Sequence, residues 1–70
     1  MNIEHCLYRL RHRRGRLEAV LGEEPGTWTL QFVYNSRVLV TQRHPSEQSA
    51  RAEAGRRLVE LEQAGWIRHW

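Results

Sequence analysis

The stretch His5-Cys6-Leu7-Tyr8-Arg9-Leu10-Arg11-His12-Arg13-Arg14-Gly15-Arg16-Leu17-Glu18-Ala19-Val20-Leu21 decides the fold, because it reads either as two strands or as one helix. With Arg14-Gly15 as a two-residue turn, Arg13 faces Arg16, His12 faces Leu17, Leu10 faces Ala19 and Tyr8 faces Leu21. One face then collects Cys6, Tyr8, Leu10, Leu17, Ala19 and Leu21. The other collects Arg9, Arg11, Arg13, Arg16, Glu18 and Val20. This sorting has period two on both arms, the signature of a half-buried sheet. The rival is a helix over residues 3–21, with Ile3, Leu7, Leu10, Leu17 and Leu21 at heptad-like spacing. Arg14 interrupts that seam, and Gly15 costs about 1 kcal/mol inside a helix. The hairpin is the favoured reading.

Further along, turn signals at Gly22-Glu23-Glu24-Pro25-Gly26 and Asn35-Ser36 bound two more strand-length segments. Trp28, Leu30, Phe32 and Tyr34 alternate with Thr29, Gln31 and Val33. Arg37 to Arg43 follows, with two possible registers. A two-residue turn pairs Phe32 with Leu39 and puts Val38 and Val40 opposite the aromatic face. A turn one residue longer puts both valines beside the aromatics, because a one-residue slip inverts a strand. The longer turn gives one buried face and is preferred, leaving Val33 and Leu39 on the open one.

Ser46 to Trp66 reads as one amphipathic helix. Pro45 keeps His44 extended, Ser46 is a good N-cap, and Glu47 suits the positive end of the dipole. Ala50, Ala54, Leu58 and Leu61 make one stripe. Glu47 with Arg51 and Glu53 with Arg57 are four-residue pairs in the favourable order. Gly65 falls at C′, which places Trp66 at C″ over Leu61 at C3 in a Schellman cap. The expected fold is α+β: one domain over residues 1–70, a four-stranded antiparallel meander followed by a C-terminal helix on one face. This element order resembles that of small bacterial sheet-plus-helix modules. One is the arm-binding domain of tyrosine recombinases, which lays a three-stranded sheet on DNA. The resemblance is one of architecture, and no motif carries a residue across.

Composition narrows the function. Seventy residues make a thin core that buries only about 60% of the unfolded surface, so a homodimer is a natural supplement. One cysteine excludes an internal disulfide. Met1-Asn2-Ile3-Glu4 does not read as a signal peptide, and no apolar run suits a membrane span, so a cytoplasmic location is expected. All basic residues are arginine and all acidic ones glutamate, for a net charge of +3. Guanidinium suits flat anionic partners, although a GC-rich coding sequence also favours arginine.

Five arginines fall between positions 9 and 16: Arg9, Arg11, Arg13, Arg14 and Arg16. On the hairpin Arg11 faces Glu18, while Arg13 faces Arg16, an unfavourable pair unless an anion sits between them. These five are the candidate site for nucleic acid or another anionic macromolecule. The bland alternative is a solvated, edge-protecting surface. RNA-binding sheets usually add exposed aromatics, and the open face has none by this reading. Cys6, on the same face as Tyr8 and Leu10, reads as a small buried hydrophobe. No C-x-x-C or H-x-x-x-H spacing suggests a metal. Glu23-Glu24 sits in a Gly/Pro turn, and all five glycines read as turn or cap residues. The expectation is therefore a non-catalytic binding module with no cofactor, metal or small-molecule substrate. A homodimer using the open sheet face or the Ile67/Trp70 tail is the alternative.

Overall fold

The structure is a computed structural model that describes residues 3–69. Met1, Asn2 and Trp70 lie outside the described residues, and with them the tail contact expected of Trp70. The chain forms β1 (Ile3–His12), β2 (Gly15–Glu24), β3 (Thr27–Tyr34), β4 (Arg37–His44), α1 (Glu47–Gln63) and β5 (Ile67–Arg68). The sheet is antiparallel, in the order β4-β3-β2-β1-β5, with α1 packed on one face. This is the α+β meander and helix expected, with one strand more. Residues 3–12 are strand, so the helical reading of residues 3–21 fails. Ten-residue strands span roughly 33 Å at 3.3 Å per residue, and so run along the 37 Å long axis of the molecule.

The helix forms where its local signals put it. Ser46 Oγ accepts from the Ser49 amide at 3.1 Å. At the far end Gly65 takes φ +104°. Its amide donates to Glu62 O at 3.1 Å and that of Trp66 to Leu61 O at 3.0 Å, the two bonds of a Schellman cap. Ala50 and Ala54 are buried, and Leu58 and Leu61 pack at the edge of the core. Small residues at one end let the helix approach the sheet closely enough for Tyr8 Oη to donate to Ala54 O at 2.8 Å.

Burial, the main cause, pushes the Tyr8 phenol up to about 12, with Glu53 adding to the effect and Arg57 opposing it. A raised folded-state value favours the neutral form. The associated stability is therefore complete below the ordinary tyrosine value and is lost as pH climbs from about 10 to about 12. Melting temperature should fall more steeply over that window for the native chain than for Tyr8→Phe. Parallel profiles would contradict this.

Gly55 lies in the helix interior, which corrects the expectation that all five glycines are turn or cap residues. It is exposed, and a methyl group there would meet nothing within 4 Å beyond its chain neighbours and the helix's own backbone. Gly55→Ala should therefore stabilise the chain by about 0.5–1 kcal/mol, mostly by restricting the unfolded state. Thermal melting checks this, with a rise of roughly 4–8 °C per kcal/mol for a domain of this size.

The helix-side face of the sheet carries the core. Tyr8, Leu10, Leu17, Ala19, Leu21, Leu30 and Phe32 are buried there. Three expectations of register are corrected. The first turn is Arg13-Arg14, so Leu10 pairs with Leu17, Arg9 with Glu18 and Arg11 with Arg16. The offset from the expected pairing is two residues, which leaves Tyr8, Leu10, Leu17, Ala19 and Leu21 on the helix-side face and Arg9, Arg11, Arg16, Glu18 and Val20 on the open one as expected, while Arg13 moves from the strand into the turn. Gly15 is drawn into the strand because the Tyr34 ring lies over it. A methyl group at Gly15 would sit 2.7 Å from Tyr34 Cε2. Arg13 takes the positive φ, +54°, instead.

The other two corrections are β-bulges. In β1, Cys6 pairs with Val20 and Tyr8 with Ala19, leaving Leu7 as the extra residue. The bulge turns Cys6 to the open face and lets Leu7 pack on the core instead. The expected placement of Cys6 beside Tyr8 and Leu10 is thus reversed. Between β3 and β4 the short turn forms, with Asn35 at φ +48° and Ser36 at φ +70°, the pattern of a type I′ hairpin. Val33 accordingly pairs with Val38. Leu39 is then bulged, and Phe32 pairs with Val40. Val40 thus joins the aromatic face as expected, Val38 does not, and Leu39 leaves the open face for the helix side. Glu23 and Glu24 end β2, and only Pro25-Gly26 makes the second turn.

Candidate nucleic-acid interface

In a meander alternate turns share one end of the sheet. The Arg13-Arg14 and Asn35-Ser36 turns are therefore neighbours, and Asn35 ties them together. Its side-chain Oδ1 accepts from the Arg16 amide at 2.9 Å, and its own amide donates to Arg16 O at 2.9 Å. The expected candidates Arg9, Arg11, Arg13, Arg14 and Arg16 all lie at this end. Arg9, Arg11 and Arg16 stand on the open face, and Arg13 and Arg14 on the turn. Arg37 joins them as the cross-strand partner of Tyr34, a contribution from β4 that proximity in sequence did not show. Glu4, Glu23 and Glu24 gather with Arg43 at the opposite end. The sheet is thus electrically polarised along its length.

The like-charged pair exists, but it is Arg11 opposite Arg16, and Glu18 faces Arg9. Arg9 Nε lies 3.2 Å from Glu18 Oε2. Cys6 Sγ lies 3.8 Å from that same oxygen. Contact with the Cys6 sulfur, first, and with Glu18 holds the Arg9 guanidinium above its usual value. Arg9 is therefore engaged. Arg11, Arg13, Arg14, Arg16 and Arg37 have no acidic partner within salt-bridge distance among the described residues.

The helix treats its charges differently. Arg51 bonds Glu47 at 2.7 Å, Arg56 bonds Glu53 at 2.8 Å and Glu60 at 3.2 Å, and Arg57 bonds Glu53 at 3.2 Å. Arg56, the leading cause, lowers the Glu53 pKa, and Arg57 and Gln42 add to it. Helical arginine is thus neutralised by neighbours three and four residues away, whereas the basic end of the sheet is left open to solvent ions.

Aromatic side chains do reach this end, from the helix side. The Trp66 ring lies 5.3 Å from that of His12, tilted by 36°, and 6.2 Å from that of Tyr34, edge to face at 77°. His12, Arg13, Arg14, Gly15, Tyr34 and Trp66 line a hollow of about 430 Å³. The pieces of this hollow come from a hairpin, the end of β3 and a helix cap. The only sequence signal for it was the Gly65-Trp66 cap. The tail folds back on the sheet edge, where Ile67 pairs with Arg11 and the His69 amide donates to Arg9 O at 2.8 Å.

A second concavity, an apolar cleft of about 510 Å³, runs between α1 and β3–β4. Leu17, Phe32, Leu39, Val40, Leu61 and Trp66 are among its lining, and Arg57 and Glu60 stand at its rim. Val38, Leu39 and Val40 are 54%, 61% and 44% exposed on β4, an edge strand with no neighbour beyond it among the described residues. Among the described residues no group of His, Cys, Asp or Glu is placed to hold a metal, and no helix is long and apolar enough to cross a membrane. No protein-family model, no curated protein and no solved structure matches the chain.

Proposed function

We propose that this α+β domain is a non-catalytic binding module that holds nucleic acid at the arginine-bearing end of its sheet. The observation that carries this reading is the electrical polarity of the sheet. Arg11 and Arg16 stay juxtaposed on the open face at a cost of a few tenths of a kcal/mol, Arg13 and Arg14 form the turn beside them and Arg37 stands beyond Tyr34 at the same end of the sheet, and among the described residues none of the five has an acidic partner within salt-bridge distance. Guanidinium groups placed like this fit the regularly spaced phosphates of a nucleic-acid backbone, each of which offers a pair of non-bridging oxygens to the two N–H groups of a guanidinium fork.

The test is fluorescence anisotropy with a labelled oligonucleotide over a salt series. If Arg11, Arg13, Arg14 and Arg16 each hold one phosphate, log affinity falls with log salt at a slope of roughly −3 to −4. No binding at low salt would end the reading.

The β4 edge favours a second reading, a homodimer. A second copy laid along Arg37–His44 would cover Val38, Leu39 and Val40 and satisfy the free backbone groups of the edge. Sedimentation velocity at high protein concentration decides it, and a monomer there removes the reading.

A further inference from the structure

We infer that the hollow at the end of the sheet receives an unpaired base, so that the nucleic acid held is single-stranded. This rests on the proposal that the arginine end binds phosphates, and goes further by naming the form of the partner.

The arrangement of the hollow carries the inference. Arg13 and Arg14 form its turn side, and His12, Tyr34 and Trp66 form its aromatic side. Two features keep the aromatic side open. Gly15 offers no side chain, and the hydroxyl end of the Tyr34 ring is seated against its backbone, where a Cβ would come within 2.7 Å of both Cε2 and Oη. The Schellman cap fixes Trp66, which is propped edge to face against Tyr34. Tyr34 remains 37% exposed, although its neighbours Leu17 and Phe32 are buried. An exposed, rigidly backed ring beside arginines is the stacking platform found in proteins that hold single strands, where every base offers a π-face.

Position adds a second argument. The open-face arginines Arg11 and Arg16 and the hollow lie on opposite sides of the same short hairpin end, joined by Arg13 and Arg14. A strand with rotatable backbone can run along Arg11 and Arg16, pass the turn and drop a base against Tyr34. A duplex keeps its bases stacked inside and cannot turn around so narrow an edge.

The experiment compares four probes of equal length on the full chain: oligothymidylate, oligouridylate, an abasic strand with the same phosphates, and a duplex. Expected is binding of thymidylate or uridylate roughly 5- to 100-fold tighter than of the abasic strand, with the duplex weaker than either. Tyr34→Leu keeps the apolar cover and should erase the difference between base-bearing and abasic strands while the salt slope stays the same. Equal binding of abasic and base-bearing strands by the native chain, or a duplex bound as tightly as the single strands, overturns the inference and leaves the phosphate reading standing. Failure of all four probes to bind at low salt overturns both. The abasic comparison needs no variant, so a Tyr34→Leu chain that fails to fold does not blunt it.

Discussion

Leu30→Ala is expected to remove most of the stability of this domain. Leu30 is fully buried on β3, where it pairs with Leu21 on one side and Gln42 on the other. Truncating such a leucine costs about 2–5 kcal/mol, because transferred area is lost and a cavity remains. A domain of this length holds roughly 4–10 kcal/mol in total. The core has few other members of that size, since among the described residues Leu10, Leu21 and Leu30 are the large side chains that are completely buried. On the open face, Val38→Ala should change stability by less than about 0.5 kcal/mol, because Val38 is 54% exposed. Urea titration of both variants reads the contrast. Equal shifts in midpoint would mean that the two faces of the sheet are assigned the wrong way round.

Replacing Arg11 and Arg16 together with alanine should separate binding from stability. Charge-assisted contacts to phosphate are worth about 1.5 kcal/mol or more each, so affinity for nucleic acid should fall roughly a hundredfold, with the salt slope reduced by about two. The same change removes a like-charged pair lying directly across β1 and β2. The doubly substituted chain should therefore melt at the native temperature or slightly above it. Arginines present only for solubility would give the second result without the first. Arg56 is the control, because Glu53 and Glu60 already hold it and Arg56→Ala should leave the slope unchanged.

What could be read from the sequence was set by how local each signal is. Ser46, Gly65 and Trp66 mark both ends of α1 because capping is settled within a few residues. Period two over Tyr8–Leu10 and Leu17–Leu21 was enough to give sheet and its buried face. Register was harder. The bulges at Leu7 and Leu39 replace one apolar residue with its equally apolar neighbour, a choice decided by core packing and invisible in the pattern. Gly15 carried a misleading signal, since a glycine beside Arg14 looks like a turn until Tyr34 is found lying on it. The two residues of β5 pair with a strand more than fifty positions away, and nothing in Ile67-Arg68 announces it. Arg9, Arg11, Arg13, Arg14 and Arg16 were legible as a cluster because they are adjacent in sequence. Arg37 and the aromatic hollow were not, because three separate segments have to meet to make them.

The most direct test of the nucleic-acid reading is amide chemical-shift mapping of the native chain titrated with a single-stranded oligonucleotide at low salt. The account predicts that shifts concentrate on Arg9 to Arg16, Tyr34 to Arg37 and the Trp66 indole, with Glu23 to Gly26 and the helix from Glu47 to Arg56 left in place. Shifts centred instead on Val38 to Val40 and the apolar cleft, or on the glutamate-bearing end, would contradict it.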